Sequence, residues 1–369
     1  MIKFDINDKI SEKYLVRKFD VFKILDNYDM TGWIDVSSFD KSIYDIREKI
    51  KDHSSVLVVI GIGGSYLGSK AIYDMFSNYF DTKFEIIYAG NTMSKEYLED
   101  LVKYLSDKDF SINVISKSGN TLETKSAYNY LIDYMKTKYD NYSERVIMTT
   151  GNSGYLYDEA KNNNYDILNI PDDIGGRYSM MTSAHLFPLS FIIDIDKFLL
   201  GYNSYNDLDL SYKYAAFRRT MFDNNKVVEN FSVFEEKLAM FLEWIKQLFG
   251  ESEGKGNFGI FPTSTIFTRD LHSLGQFIQD GNKILYETFI YYNSTDKRLV
   301  DAIRKAHEKG GVIVNCIEFD DINEYDVGYL IKFFFYSAAI SAILFGQNPF
   351  DQPGVEVYKS EIKERFDEK

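Results

Sequence analysis

The run Ile115-Ser116-Lys117-Ser118-Gly119-Asn120-Thr121-Leu122-Glu123-Thr124 sets hydroxyls, one ammonium and a glycine between an apolar stretch (110–115) and a helix-like one (121–138). A strand ending this way at the mouth of a helix offers backbone N–H groups, side-chain donors and the positive end of a helix dipole. Together these make a seat for a dianion, and phosphate is the obvious guest. The spacing is not the Gly-x-x-x-x-Gly-Lys-Ser/Thr of a nucleotide phosphate loop, so a sugar phosphate suits it better than ATP.

Five further runs carry candidate chemistry. In Gly61-Ile62-Gly63-Gly64-Ser65-Tyr66-Leu67-Gly68, a dinucleotide fingerprint would need glycine at position 66, which is Tyr, and no acidic residue ends the second strand. The turn reads instead as a close backbone approach to a ligand, with Gly64 and Ser65 at the helix mouth, or as a plain tight connection. In Asp173-Ile174-Gly175-Gly176-Arg177, a cation opening a helix opposes the dipole and needs an anion, either a ligand or Asp172 or Asp173. In Gln247-Leu248-Phe249-Gly250-Glu251, Gly250 is expected to end a helix and leave Glu251 just past it, as a general base or a solvated turn residue. His272 and Gln276 are expected on one helix face at i, i+4, whereas His53, His185 and His307 have no comparable setting. The proline-bracketed turn around Asp351-Gln352-Pro353 leads into a short helix carrying Lys359, which alone would read as a solvated lysine. No two His, Cys or carboxylates stand at metal-ligand spacing, so no catalytic metal is expected.

The elements that must position these groups alternate. Expected strands at 56–60, 84–88, 110–115, 146–150 and 165–170 enclose helices at 65–78, 94–105, 121–138 and 154–163. Such an order implies a parallel sheet covered on both faces. A helical stretch (178–193) and a mostly helical region through Gly250 follow. Alternation then resumes with strands at 258–261, 285–292 and 312–318 and helices at 269–279, 296–309 and 326–346. Two α/β units are expected, divided between residues 193 and 212. The net charge of −14 argues against nucleic acid and anionic membrane as partners. Cys316 reads as a buried strand residue in a reducing compartment. The polar start lacks an apolar signal core, and the apolar stretch 333–345 is too short to span a bilayer and reads as a core helix.

Taken in order, the blocks GIGGSYLG, SKSGNTLET, GGRYS, QLFGESEGK, DLHSLGQFIQDG and NPFDQPGVEVYK resemble the glucose-6-phosphate isomerase (phosphoglucose isomerase) family, from Gly61 to Lys359. The resemblance implies two SIS-type three-layer α/β/α domains with mainly parallel sheets and helical N-terminal and C-terminal extensions. The expected bounds are 1–50, 51–195, 196–347 and 348–369. It implies a cytoplasmic homodimer with a shared active site, without cofactor or metal, that interconverts glucose 6-phosphate and fructose 6-phosphate in glycolysis and gluconeogenesis. It matches Ser116, Lys117, Ser118 and Thr121 to the positions that hold phosphate, with Gly64 and Ser65 lining the same pocket. Glu251 matches the base that moves a proton between C2 and C1, and Arg177 the cation beside the enediolate. His272, supplied by the neighbouring subunit, and Lys359 match the ring-opening residues, with Gln247 and Gln352 lining the site. Two departures stand out. Asn120 replaces the usual hydroxyl residue of the phosphate loop, and a segment is missing around residues 292–296.

Residue types agree with that chemistry. An aldose–ketose shift needs one base that returns the proton it removes, and a fixed guanidinium stabilises charge that develops only in the enediolate. The rival readings are a non-catalytic SIS-type sugar-phosphate sensor and an isomerase that also accepts mannose 6-phosphate. The isomerase half of an aminosugar synthase is a poorer fit, since the chain has no N-terminal cysteine for glutamine hydrolysis.

Overall fold

The structure is a computed structural model that describes residues 2–37, 39–80 and 84–367. Residues 1, 38, 81–83, 368 and 369, which fall within the expected segments, lie outside the described set. The chain forms two compact units, one of Asp29–Asn203 and one of Met1–Tyr28 with Ser204–Lys369.

The chain opens with β1 (Ile2–Asp5), which belongs to the second of these units. The Asp29–Asn203 unit is built on β2 (Val56–Ile60), β3 (Glu85–Ala89), β4 (Phe110–Ile115), β5 (Val146–Thr150) and β6 (Asp166–Asn169). All pairings are parallel, in the order β3-β2-β4-β5-β6. β2, β4 and β5 are buried along their whole length, as strands covered by helices on both faces must be. Their side chains form one core with Leu98, Leu101 and Leu105 of helix Lys95–Leu105 and with Ala127, Leu131 and Met135 of helix Leu122–Lys138. From β2 the chain moves to β3 on one side and then to β4 on the other. The leaving ends of β2 and β4 therefore flank a topological switch point, where open α/β sheets bind ligands.

The other unit adds β7 (Val228–Val233), β8 (Phe261–Ile266), β9 (Leu285–Tyr292) and β10 (Val314–Phe319), in the order β1-β10-β9-β7-β8. Among the described strands only β1 is antiparallel, pairing Ile2 with Phe319 through Asp5 with Cys316. The N-terminal extension, expected to be helical, thus begins as an edge strand before its helices.

Three further expectations change. β7 falls in a stretch expected to be helical, yet it is flanked by two strands. Its polar residues Glu229, Asn230 and Ser232 mask the strand pattern, and they are buried because each finds partners. β8 begins at Phe261 rather than ending there. It is an edge strand, where Pro262 costs no ladder bond. The 178–193 helix resolves into a 3₁₀ turn, Gly176–Met181, and helix Ser183–Leu189.

Helix Glu324–Leu344 has 21 residues, so by length and composition it could cross a membrane, contrary to the shorter apolar stretch read from sequence. Within the fold its apolar window is 94% buried, as in a core helix. Cys316 is buried in β10, and burial pushes its thiol up to about 12.

Candidate active site

In the Asp29–Asn203 unit three loops carry the sequence candidates: the glycine turn after β2, the 116–121 loop after β4 and the segment after β6. Ser116 follows β4, its N–H held by the Thr149 carbonyl at 3.1 Å, and its Oγ lies 3.2 Å from Oγ1 of Thr121. The Gly119 N–H donates to Ser116 Oγ at 3.1 Å, with Gly119 at a φ of +69° that favours glycine. Ser118 and Asn120 are exposed, and Ser118 Oγ accepts from the Asn120 N–H. Thr121 is the N-cap of helix Leu122–Lys138. Hydroxyls and the N-terminus of a 17-residue helix thus gather at the switch point.

Lys117 is placed differently from a simple phosphate ligand. Its Nζ donates to the carbonyls of Asp172 and Ile174, at 2.8 and 3.0 Å. Burial lowers its pKa, opposed by the carboxylates of Asp172 and Asp173. The ammonium ties the 116–121 loop to the segment leading to Arg177.

Arg177 is buried in the 3₁₀ turn Gly176–Met181 rather than opening an α-helix, so the macrodipole conflict read from sequence is much reduced. Its guanidinium lies 5.7 Å from the Tyr178 ring, which stacks on Trp33. Gly64 meets Gly176 backbone to backbone: a Cβ on Gly64 would lie 2.4 Å from the Gly176 carbonyl carbon. Ser65 closes its own turn, its N–H donating to the Ile62 carbonyl at 3.1 Å. His185, which in the sequence has no setting comparable to that of His272, sits beneath this contact with Nε2 2.7 Å from the Gly64 carbonyl.

In the other unit, Gly250 does not end its helix. Helix Ala239–Glu253 continues to Gly254, so Gln247 and Glu251 share a face, and Gln247 Nε2 donates to Glu251 Oε1 at 3.1 Å. The helix persists because Glu253 is drawn into the core. Its carboxylate accepts from Arg218 Nη2 at 2.5 Å, from Ser341 Oγ at 2.6 Å and from the Ile260 N–H at 3.2 Å. Arg218 also lies against Glu229, which accepts from Tyr214, Tyr286 and Thr288. Burial opposes the charge on Arg218, yet Glu253, Tyr286 and Tyr214 leave its pKa raised.

A cleft of about 810 Å³ opens beside this helix end, bordered by Lys246, Gly250, Pro262, Pro353 and Gly354. Lys255 Nζ bonds Asp351 Oδ1 at 2.6 Å, holding the turn before half-buried Gln352. Lys359 lies on the exposed helix Pro353–Asp367 and pairs with Glu356 at 3.0 Å.

His272 is not brought to this group. It is exposed in the 3₁₀ turn Arg269–His272, and a break before helix Gly275–Asp280 separates it from Gln276, so the two do not share one helix face. A Cβ on Gly250 would lie 3.6 Å from Pro262 at the start of β8. Asp270 accepts from the Ile266 N–H at its end. Glu251 and His272 therefore stand at opposite ends of β8, separated by roughly 13 Å of strand.

The phosphoglucose isomerase family model matches residues 47–309. The glucose-6-phosphate isomerase of Acholeplasma laidlawii is 39% identical over 420 aligned positions, covering 98% of each chain. Those positions outnumber the 369 residues here, so that relative has residues this chain lacks. The enzyme of the same name from Streptococcus mutans is 40% identical, covering 90% of this chain and 86% of its own. Among solved structures, a hypothetical protein from Thermus thermophilus shares the fold with a TM-score of 0.89 at 22% identity, covering 99% and 100% of the two chains. A Chlamydia trachomatis glucose-6-phosphate isomerase shares it with a TM-score of 0.76 at 19% identity, covering 98% of this chain and 80% of that one. On the family match and the identity along nearly the whole chain, this protein belongs to the phosphoglucose isomerase family.

Proposed function

We propose that the chain interconverts glucose 6-phosphate and fructose 6-phosphate, serving glycolysis and gluconeogenesis. The observation that carries this reading, in a chain of this family, is the seat of Ser116 and Thr121 hydroxyls at a helix N-terminus on the switch point of a parallel sheet. Ser116, Ser118, Thr121 and the loop's backbone N–H groups hold the phosphate, with Gly64 and Ser65 beside it. Lys117 fixes the loop and lends its charge.

Glu251 removes the proton from C2 and returns it to C1. Gln247 orients its carboxylate, its Nε2 donating to Glu251 Oε1 at 3.1 Å. Arg177 stabilises the oxyanion of the enediolate, which carries charge only after proton removal. His272 and Lys359 open the sugar ring, and Gln352 lines the site. One carboxylate returning one proton needs no metal, and we place the enzyme in the cytoplasm.

We also propose a homodimer in which His272 acts in the partner's site. Support comes from its exposure beside Leu274 and Phe277, and from its separation along β8 from the Glu251 of its own chain. The relatives that match over most of both chains bear an enzyme's name, and the sensor reading has no comparable support.

The test is a coupled assay of fructose 6-phosphate conversion to glucose 6-phosphate in the presence of EDTA. Sustained turnover is the expected result. Absence of turnover while fructose 6-phosphate still binds by calorimetry would overturn the catalytic reading.

A further inference from the structure

We propose that His185 is a positioning residue, whose two ring nitrogens hold the turn at Gly64 in register with the segment that carries Arg177. The inference rests on the function proposed above, in which both segments meet the sugar phosphate.

His185 lies in helix Ser183–Leu189 and is buried. Its Nδ1 accepts from the Ser69 N–H at 3.0 Å, and its Nε2 lies 2.7 Å from the Gly64 carbonyl oxygen. A backbone N–H can only donate and a carbonyl can only accept. The ring is therefore neutral, with its single proton on Nε2. Ser179 completes the arrangement. Its Oγ lies 2.6 Å from the Gly176 carbonyl, 3.1 Å from the Gly64 carbonyl and 3.1 Å from His185 Nε2. The one hydroxyl proton goes to the nearer Gly176 carbonyl, which leaves an oxygen lone pair facing the imidazole N–H.

His185 and Ser179 thereby clamp two glycine carbonyls, one next to Ser65 and the other next to Arg177. At the contact itself no side chain interlocks, because neither Gly64 nor Gly176 bears a Cβ and one on Gly64 would lie 2.4 Å from Gly176 backbone. Two smooth backbones depend on directional bonds for their register. The fit around the ring is close: a Cβ on Gly68 would lie 2.9 Å from the Met180 sulfur and 3.0 Å from His185 Cε1. The phosphate seat of Ser116 and Thr121 stands on a different loop, after β4. Phosphate binding and the register of Arg177 should therefore separate by experiment.

Two variants test this. His185→Phe keeps a flat ring but removes both bonds. His185→Gln restores an acceptor and a donor at similar separation. The Phe variant should lose roughly 10- to 100-fold in kcat with the dissociation constant of inorganic phosphate, by calorimetry, changed less than about twofold, and the Gln variant should recover most of the loss. Wild-type kcat in the Phe variant would overturn the proposal, and so would phosphate affinity falling in step with kcat.

Ring 15N NMR of the wild-type protein supplies a readout independent of folding in the variants. A neutral ring protonated at Nε2 is expected, and protonation at Nδ1 overturns the proposal. If the wild type showed no turnover, the functional reading would fail by itself. The clamp would then be judged by whether His185→Phe weakens fructose 6-phosphate binding but spares inorganic phosphate, loss or retention of both refuting it.

Discussion

Gln247 reaches Glu251 one helical turn away, its Nε2 donating to Oε1 at 3.1 Å within helix Ala239–Glu253, while His272 stands past the far end of β8. This separation yields the sharpest test of a shared site. Glu251→Gln and His272→Ala should each remove most isomerase activity. Mixed and allowed to exchange subunits, the two inactive proteins should regain about a quarter of wild-type activity, because half the dimers become hybrids with one intact site of two. A mixture that stays as inactive as its parents would place both residues in the site of one chain.

The Ser116 and Thr121 hydroxyls lie 3.2 Å apart at the proposed phosphate position. Hydrogen bonds to a charged group contribute about 1.5–3 kcal/mol each, so Ser116→Ala with Thr121→Ala should raise KM at least tenfold. Arg177→Ala should act chiefly on kcat. Initial-rate kinetics on fructose 6-phosphate separate the two, and a normal KM in the double variant would mean that phosphate binds elsewhere.

Arg218 is buried between Glu229 and Glu253. Arg218→Met would leave two carboxylates in the core without their cation, and breaking such a pair costs about 3–5 kcal/mol. Urea unfolding should show that loss. Because Glu253 anchors the last turn carrying Glu251, the variant should also lose turnover while still folded. An unchanged midpoint would mean that the network contributes little.

Burial lowers the His185 pKa to about 4, slightly opposed by the Gly64 carbonyl. Unfolding restores the ordinary value near 6.5, so between these values the unfolded chain binds the extra proton. The neutral ring's contribution is complete above about pH 6.5 and is lost as pH falls toward 4. The span corresponds to about 3 kcal/mol. Thermal unfolding of wild type should therefore fall more steeply than that of His185→Phe between neutral pH and pH 4.5. Parallel curves would mean that His185 is not buried neutral.

The sequence by itself determined the first parallel sheet and the loop at 116–121 that follows β4. There the apolar runs are short and bounded by glycine and polar turns, as β2, β4 and β5 show by starting and ending where the run does. It also named the candidate residues, since residue type and local order carry them. What it missed depends on partners remote in sequence. β7 is legible as a strand only once Tyr214, Tyr286, Thr288 and Arg218 are there to satisfy Glu229. Helix Ala239–Glu253 runs through Gly250 because Glu253 finds Arg218 and Ser341 in the core, which outweighs a glycine's local tendency to stop a helix. His185 had no local signal, for besides nearby Ser179 its partners are the Ser69 amide and the Gly64 carbonyl, more than a hundred residues away. Local propensity and pattern are written in the chain, but the satisfaction of buried polar groups is settled only where distant segments meet.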